Sequence, residues 1–360
     1  GDDAEGGASA SGGSGGSSVT STASDSLVLA LAADIQQRLP ANIDKSKAAA
    51  GTFAGVAGLP ARSESGEAAQ DTISPVESEV AELGNPLGVF LSQEVDRVNK
   101  LLNTIRGSLA SLQNSIKGLE VMSASLEGVY AALLFNRVPA TWARAAYPSL
   151  KPLAAWVEDL ITRVATYDAW LRNGLPAAYW PSGFFFPQGF LTAALQTYAR
   201  ANRVPIDALG FTATVLPYAT ADEYAAAVAR GEENTSTSPC RDPRLGVVVH
   251  GFYLQGARWD AQPGVGGCLE EAMPRQLFAE MPLVWLQPTE LGATGLPTND
   301  ERGRVMYPCP VYKTITRAGQ LSTTGHSTNF VVTLALPSKD GLSVDHWVRR
   351  GTAIVMQLVD

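Results

Sequence analysis

The longest regular pattern in the chain runs from Pro86 to Leu119 and reads PLGVFLSQEVDRVNKLLNTIRGSLASLQNSIKGL. Large apolar residues recur in it at intervals of three and four positions, the spacing that places side chains on one face of an α-helix. The members of this series are Phe90, Val95, Val98, Leu101, Leu102, Ile105, Leu109, Leu112, Ile116 and Leu119. The pattern predicts a long amphipathic helix, and we expect any break near Gly107 or Gly118.

The same helical spacing recurs on both sides of this stretch. The further series cover residues 27–35, 122–134, 153–170 and 190–198. Each series ends at a proline or glycine that stops helices, namely Pro40, Pro139, Gly174 and Pro205. We therefore expect residues 26–205 to form a helical array.

Beyond Pro205 the apolar period shortens to two, which is the period of β-strands. The strand-like runs are residues 211–215, 246–254, 329–336 and 353–358. Residues 221–230 read as one short helix between them. The sequence thus predicts an α+β fold, in which the helical array is followed by a mostly antiparallel, small β-barrel-like sheet over residues 206–360.

Three segments lack any sustained apolar period. Residues 1–25 are dominated by Gly, Ser, Ala and Thr, a composition that cannot bury enough apolar surface to offset the entropy of ordering. Residues 45–84 have a similar composition inside the helical part, and residues 231–241 are polar. We expect a flexible N-terminal segment, a loop over 45–84 and a mobile loop over 231–241.

Charge and composition exclude several classes of partner. The 360 residues carry a net charge of -8 and contain no dense block of Lys or Arg. Nucleic-acid and anionic-membrane surfaces need clustered positive charge, so we expect neither partner. No run of apolar residues is long enough to span a bilayer, and the acidic, Gly/Ser-rich beginning does not resemble a signal peptide. The three cysteines lack paired spacing, which favours reduced thiols in the cytoplasm.

The motifs of common catalytic and cofactor sites are missing. The dipeptide Gly-Lys does not occur, so no phosphate-binding P-loop can be drawn. Residues 12–16 match a nucleophile elbow only formally, because that motif requires a strand before it and a helix after it. None of the three histidines has a second histidine or a cysteine at zinc-site spacing. We predict no catalytic residue, no cofactor site and no metal site, and hence no enzyme activity in this segment.

One aromatic cluster stands out between two predicted helices. Residues 179–188 read YWPSGFFFPQ, and they contain Trp180, Phe184, Phe185 and Phe186. A connection of this kind is either a buried plug between elements or an exposed docking patch. With these four residues, Trp259 and Trp285 complete the set of structural or docking candidates. We expect Trp142, Trp156, Trp170, Trp259, Trp285 and Trp347 to be packing anchors.

Several ordered blocks together carry a resemblance to a known family. They are 138–142 (VPATW), 147–153 (YPSLKPL), 182–192 (SGFFFPQGFLT), 198–200 (YAR), 204–207 (VPID), 251–260 (GFYLQGARWD), 281–285 (MPLVW), 307–314 (YPCPVYKT) and 346–351 (HWVRRG). In this order they resemble the C-terminal domain of a dynein heavy chain, over about residues 27–360. Residues 321–331 (LSTTGHSTNFV) are most similar to the single-headed inner-arm axonemal type. Residues 1–24 and 45–80 match no family block.

The resemblance implies a defined place in a larger motor. Six AAA+ modules, a linker and a microtubule-binding stalk would precede Gly1, and ATP and Mg would bind in those modules. The domain itself would be helices followed by a small incomplete β-barrel that lies across one face of the ring. Its partners would be the AAA+ ring of the same heavy chain and, through the parent chain, dynein light and intermediate chains and microtubules. The location would be the cytoskeleton, in the axoneme of a cilium or flagellum.

Two functions remain open at this point. The domain could bridge ring modules and bias their relative motion, which needs only a contact energy that differs between two ring states. Alternatively, it could be an adaptor that docks another axonemal protein through residues 231–241 or the aromatic cluster at Trp180. A free-standing enzyme would need a pocket with a nucleophile or a metal.

Overall fold

A computed structural model of the protein describes residues 16–54, 56, 84–233, 242–261, 267–292, 295–317 and 327–359. Within these residues lie eight α-helices: α1 Gly16–Arg38, α2 Pro86–Ile116, α3 Ala124–Leu134, α4 Ala140–Ala145, α5 Leu153–Asn173, α6 Pro187–Asn202, α7 Ala221–Ala229 and α8 Val344–Arg349. The strands are β1 Leu209–Val215, β2 Val247–Val249, β3 Tyr253–Gln255, β4 Ala257–Asp260, β5 Cys268–Glu271, β6 Phe278–Glu280, β7 Val284–Glu290, β8 Met306–Thr314, β9 Phe330–Pro337 and β10 Ala353–Gln357. The α+β class predicted from the sequence is confirmed.

The first helix begins earlier than its apolar pattern suggests. It starts at Gly16, inside the stretch predicted to be flexible, and the rest of that stretch lies outside the described residues. The apolar stripe that includes Val28 and Ile35 is buried in the core. Once a helix is nucleated, each added residue gains a hydrogen bond at little further cost, so the Ser/Ala/Thr-rich run can continue it toward the N-terminus.

Part of the predicted loop over 45–84 is packed against the helices. Lys45–Lys47 form a single 3-10 turn, and Phe53 is 1 % exposed. The side chain of Asn85 donates to the carbonyls of Thr52 and Ala54 and accepts from the Gly88 amide at the start of α2. These contacts fix the loop residues up to Ala54, whose turn conformation agrees with the predicted loop. Residues 55 and 57–83 lie outside the described residues.

Helix α2 is the central element of the helical array. Asn85 caps it and Pro86 occupies its first turn, an arrangement that suits a helix start. It contacts α1, α3, α4, α5 and α6, and its apolar stripe, including Leu101 and Ile105, is fully buried. The helix runs unbroken through Gly107 and ends at Ile116, two residues before Gly118, whose φ is +74°. Of the two possible break points, only the one at Gly118 is used.

Gly107 therefore offers a simple test of the helix. A methyl group at this position would meet no atom within 4 Å, and the same holds at Gly118. We expect Gly107→Ala to raise the free energy of unfolding by about 0.5–1 kcal/mol, because alanine is the better helix former. Gly118→Ala is the matched control and should lower stability, because its left-handed backbone disfavours a side chain. Urea denaturation measures both; a destabilised Gly107→Ala variant would show that α2 is not regular there.

The strands form three sheets, in the orders β1-β7-β2, β6-β3-β10-β8-β9 and β4-β5. Neighbours are antiparallel except β8 and β10, which are parallel. The predicted single strand over 246–254 is instead two strands in different sheets, because the chain turns at Gly251, where φ is +79°. The described part of the protein therefore has three open sheets and no closed barrel. The predicted barrel-like arrangement is corrected accordingly.

The helical array and the sheets share one core. A continuous apolar cluster extends from Val28 in α1 to Met356 in β10. A smaller cluster lies beneath α7 and is built around Tyr224 and Trp285. Of the six tryptophans expected to be packing anchors, Trp142, Trp156, Trp170, Trp285 and Trp347 are buried, and Trp259 is partly buried.

Candidate functional site

The aromatic connection between α5 and α6 lies at the junction of the helices and the sheets. Phe184 is buried, and its ring centroid is 5.0 Å from that of Phe90 and 5.1 Å from that of Phe190. Phe185 is partly buried and packs edge-on against Tyr147 at 5.4 Å. Phe186 is 45 % exposed. The aromatic connection is thus buried in the core at Phe184 and exposed to solvent at Phe186.

Trp180 packs closely against Gly251. It is partly buried, and a Cβ at Gly251 would lie 2.7 Å from its indole ring. The main chain beside it is tied to the sheet, because the Tyr179 amide donates to the Val248 carbonyl at 2.8 Å and the His250 amide donates to the Tyr179 carbonyl at 3.0 Å. These bonds fix the main chain next to Trp180.

The remaining candidates lie apart from this connection. Trp259, on β4, packs so closely over Gly267 that a Cβ there would lie 2.3 Å from the indole. Trp285, on β7, is buried beneath α7 and donates its indole N–H to the Leu245 carbonyl at 3.2 Å. The structure thus brings Trp180 and Phe184–Phe186 together in one connection and gives Trp259 and Trp285 separate packing sites. The loop candidate, residues 231–241, lies largely outside the described residues, which resume at Asp242.

A buried carboxylate anchors the aromatic connection to α2, and sequence reasoning missed it. The side chain of Glu94 is 0 % exposed. One of its oxygens accepts hydrogen bonds from the Tyr167 hydroxyl at 2.9 Å and the Phe185 amide at 2.6 Å, and the other accepts from Arg97 at 2.6 Å. Burial, and after it the charge of Glu94, raise the pKa of the Tyr167 hydroxyl well above its ordinary value. A charged residue on the apolar face of a predicted helix was the available signal.

A second buried charge, Arg163 on α5, was missed in the same way. Its Nε donates to the Asp159 carboxylate at 2.6 Å, and Lys151 approaches the other carboxylate oxygen at 3.1 Å. The guanidinium carbon lies 3.4 Å from the centroid of the Tyr147 ring and 5.4 Å from that of Trp180. Burial pushes the pKa of Asp159 upward, but Arg163 and Lys151 outweigh it and hold the pKa below its usual value.

A cleft of about 500 Å³ opens beside Trp180, and we call it the α5–α7 groove. It lies between the C-terminal half of α5, the connection that follows, and the first turns of α7. Its polar lining includes Thr162, Thr166, Asn173, Asp222 and His250. Burial lowers the pKa of His250 below its usual value, and the Asp222 carboxylate offsets this only in part.

Comparison with known proteins gives the family. Residues 5–356 match the sequence profile of the C-terminal domain of dynein heavy chains. The protein belongs to this family. The match confirms the resemblance to this family, and it begins at residue 5, earlier than the expected start near residue 27.

Relatives of this dynein C-terminal domain are axonemal dynein heavy chains. The chain is 46 % identical to human dynein axonemal heavy chain 6 over 278 residues, and 41 % identical to human heavy chains 12 and 1 over 278 and 272 residues. Each alignment covers 76 % of this chain. It covers only 6 %, 8 % and 6 % of heavy chains 6, 12 and 1, respectively. The protein thus spans a small part of the length of these relatives.

The described part of this dynein domain holds no group of three or more His, Cys, Asp or Glu side chains placed to bind a metal ion. None of its helices, within the same residues, combines the length and hydrophobicity needed to cross a membrane. Of the three cysteines, Cys268 and Cys309 are free thiols and Cys240 lies outside the described residues. Burial raises the pKa of both described thiols, to about 12 for Cys309, which makes them poor nucleophiles.

Proposed function

We propose that this protein is the C-terminal domain of an inner-arm dynein heavy chain of a cilium or flagellum. In this proposal it is a non-catalytic brace that packs on the AAA+ ring of the same heavy chain and modulates the motor. Membership of the family and the axonemal names of the relatives support a place in the cytoskeleton of the axoneme. The inner-arm assignment is supported by the similarity of residues 321–331 to the single-headed type.

The observation that carries the mechanical role is the shared core. One apolar cluster joins the helices, from Val28 onward, to the last strand at Met356. Such a body resists relative movement of its two parts, because close-packed interiors transmit strain. A rigid body that contacts more than one ring module can favour one ring state over another by about 1–3 kcal/mol, which is the usual range of coupling between sites.

The surface offered to the ring would be the helical part. Large apolar side chains at the ends of α2 and α3 are open to solvent: Leu119 is 74 %, Val121 90 % and Phe135 66 % exposed. Exposed apolar residues of this size are favourable contacts when another protein covers them. ATP and Mg would bind in the ring, and the parent chain would supply minus-end-directed movement on microtubules and contacts with light and intermediate chains.

The test is microtubule gliding by the full heavy chain with the ATPase rate measured in the same preparation. Deleting residues 174–360 would remove Phe184 and expose the core residues Phe90 and Trp170 that pack against it, so substitutions are the sharper tool. We expect the triple variant Leu119→Ser, Val121→Ser, Phe135→Ser to change gliding velocity while ATP hydrolysis continues. The control Met273→Ser, Leu277→Ser removes side chains of comparable exposure, 59 % and 74 %, from the sheet part and should glide normally. An unchanged gliding velocity of the triple variant would contradict the proposed mechanical role of the domain on the ring.

The alternative function is a docking surface for another axonemal protein. The exposed ring of Phe186, with the Arg97 guanidinium 5.8 Å from its centroid, is the observation that favours it. In that case Phe186→Ser should leave gliding velocity unchanged and weaken assembly of the motor on axonemes. Sedimentation with motor-depleted axonemes measures this.

A further inference from the structure

The α5–α7 groove has the size and walls of a binding cleft. Its volume of about 500 Å³ lies within the range of about 300–1,000 Å³ typical of ligand pockets. Small side chains, Ala169 on α5 and Ala221 and Ala225 on α7, line its walls. The rings of Trp180 and Tyr179 add aromatic surface. A cleft of this kind accepts a long, thin side chain more readily than a helix, whose diameter is about 10–12 Å.

The charges that face the groove select a cation. Among the described residues that line it, Asp222 is the one carboxylate, and there is no lysine or arginine. Because its pKa is lowered by burial, His250 is neutral at physiological pH. Asn173 and Gly174, at the C-terminal end of the long helix α5, also line the groove, and a helix C-terminus carries partial negative charge. These groups favour positive charge beside Asp222. The Trp180 ring already has a cation near it, because the guanidinium carbon of the buried Arg163 lies 5.4 Å from its centroid.

The N-terminal end of helix α7 carries partial positive charge, but it does not cancel the preference of the groove for a cation. The Glu223 carboxylate accepts from the amides of Ala219 and Thr220 at 3.0 and 3.3 Å. The Thr220 hydroxyl accepts from the Glu223 amide at 3.2 Å, which completes a capping box. Within the described part of the protein, Asp222 takes part in no hydrogen bond or ion pair. Its carboxylate is therefore available to a ligand.

We propose that the α5–α7 groove binds an arginine side chain from an extended segment of a partner protein, with the guanidinium paired to Asp222. Arginine fits better than lysine because a planar guanidinium pairs with a carboxylate through two parallel hydrogen bonds. The Trp180 indole beside Gly251 lines the same groove, so its signal reports whether the groove is occupied. This inference does not rest on the ring contact or on the motor role proposed above.

The experiment uses the 360-residue protein and two tripeptide probes, acetyl-Leu-Arg-Leu-amide and the same peptide with citrulline in place of arginine. Citrulline keeps the shape of arginine but removes its charge. Binding is followed by the NMR signal of the Trp180 indole N–H, assigned with a Trp180→Phe variant. Asp222→Asn removes the groove carboxylate, and Asp340→Asn removes an exposed carboxylate elsewhere as the matched control. Ala225→Leu fills the groove while keeping a good helix former in α7.

We expect saturable shifts of the Trp180 signal with the arginine peptide and at least about tenfold weaker binding of the citrulline peptide, the loss expected from one charge-assisted hydrogen bond. Asp222→Asn should abolish this preference, Ala225→Leu should weaken both peptides, and Asp340→Asn should bind like the unmodified protein. Unchanged melting temperatures would show that the variants fold. Equal binding of the two peptides, no saturable shift, or the same loss in Asp340→Asn as in Asp222→Asn would overturn the proposal.

Discussion

Replacing Arg163 with alanine is expected to lower the free energy of unfolding by about 3–5 kcal/mol at neutral pH, which is the cost of removing one partner of a buried ion pair. The Arg163 side chain is 0 % exposed and that of Asp159 is 5 % exposed. Without the guanidinium, Asp159 retains Lys151 alone, and Tyr147 loses the cation stacked on its ring. Urea denaturation followed by circular dichroism measures the loss.

The pH dependence separates a lost charge pair from lost packing. In the unmodified protein the pKa of Asp159 lies below its ordinary value of 3.8, so the pair contributes stability above that pH and loses it as the pH falls through the lowered pKa. In Arg163→Ala, burial is no longer outweighed by the guanidinium, and the pKa of Asp159 should rise. The variant should therefore lose more stability at pH 7 than at pH 4. An equal loss at both pH values would mean that packing alone was removed.

A double variant tests whether the charges themselves are favourable. Within the described residues, neither Nη group of Arg163 has a hydrogen-bond partner, so the desolvation of the guanidinium is incompletely offset. Asp159→Leu combined with Arg163→Met keeps the volume and removes both charges. We expect it to be within about 1 kcal/mol of the unmodified protein, as found when apolar residues replace buried pairs. A double variant as unstable as Arg163→Ala would show that the pair is favourable in itself.

The helices were predictable because their signal is local. Burial of a stripe at three- and four-residue spacing requires apolar residues at those positions, so Leu101, Ile105 and Leu109 reveal α2 without knowledge of its neighbours. The stop signals are local as well, and α5 ends at Asn173, directly before the predicted stop at Gly174. The aromatic connection could likewise be recognised from its composition, although not which of its rings would be exposed.

The sheet pairing and the buried charges were not predictable, because their partners are distant in sequence. Residues 246–254 alternate like one strand, yet Val249 pairs with Val284 in one sheet and Tyr253 pairs with Glu280 in another. Gly251 marks the turn, but an isolated glycine does not show that the two halves have different partners. Glu94 could have been noticed on its apolar face, whereas its contact with Tyr167, 73 residues away, depends on how α2 and α5 pack.

Replacing Glu94 with alanine is expected to lower the free energy of unfolding by about 3–5 kcal/mol, similar to breaking a buried ion pair. The carboxylate accepts from three groups on three different parts of the protein: Arg97, Tyr167 and the amide of Phe185. Tyr167 can still donate to the Gly183 carbonyl at 2.8 Å, and the partly exposed Arg97 can turn toward water. The Phe185 amide then lacks its acceptor, so most of the loss should arise at the aromatic connection.

Glu94→Gln is the matched control, because it keeps the size of the side chain and one of the two acceptor oxygens. We expect it to cost about 1–3 kcal/mol, since one oxygen can still serve Phe185 while the bond to Arg97 is lost. Hydrogen exchange of the Phe185 amide gives a local readout and should accelerate more in the alanine variant than in the glutamine variant. Equal losses in the two variants, with unchanged exchange at Phe185, would mean that the charge of Glu94 matters and its hydrogen bond to the connection does not. A larger loss in Glu94→Ala than in Glu94→Gln, with faster exchange at Phe185, would show that Glu94 positions the aromatic connection through the oxygen that accepts from the Phe185 amide. Because Trp180 lies in this connection and lines the α5–α7 groove, Glu94 on the central helix would then also position one wall of the groove.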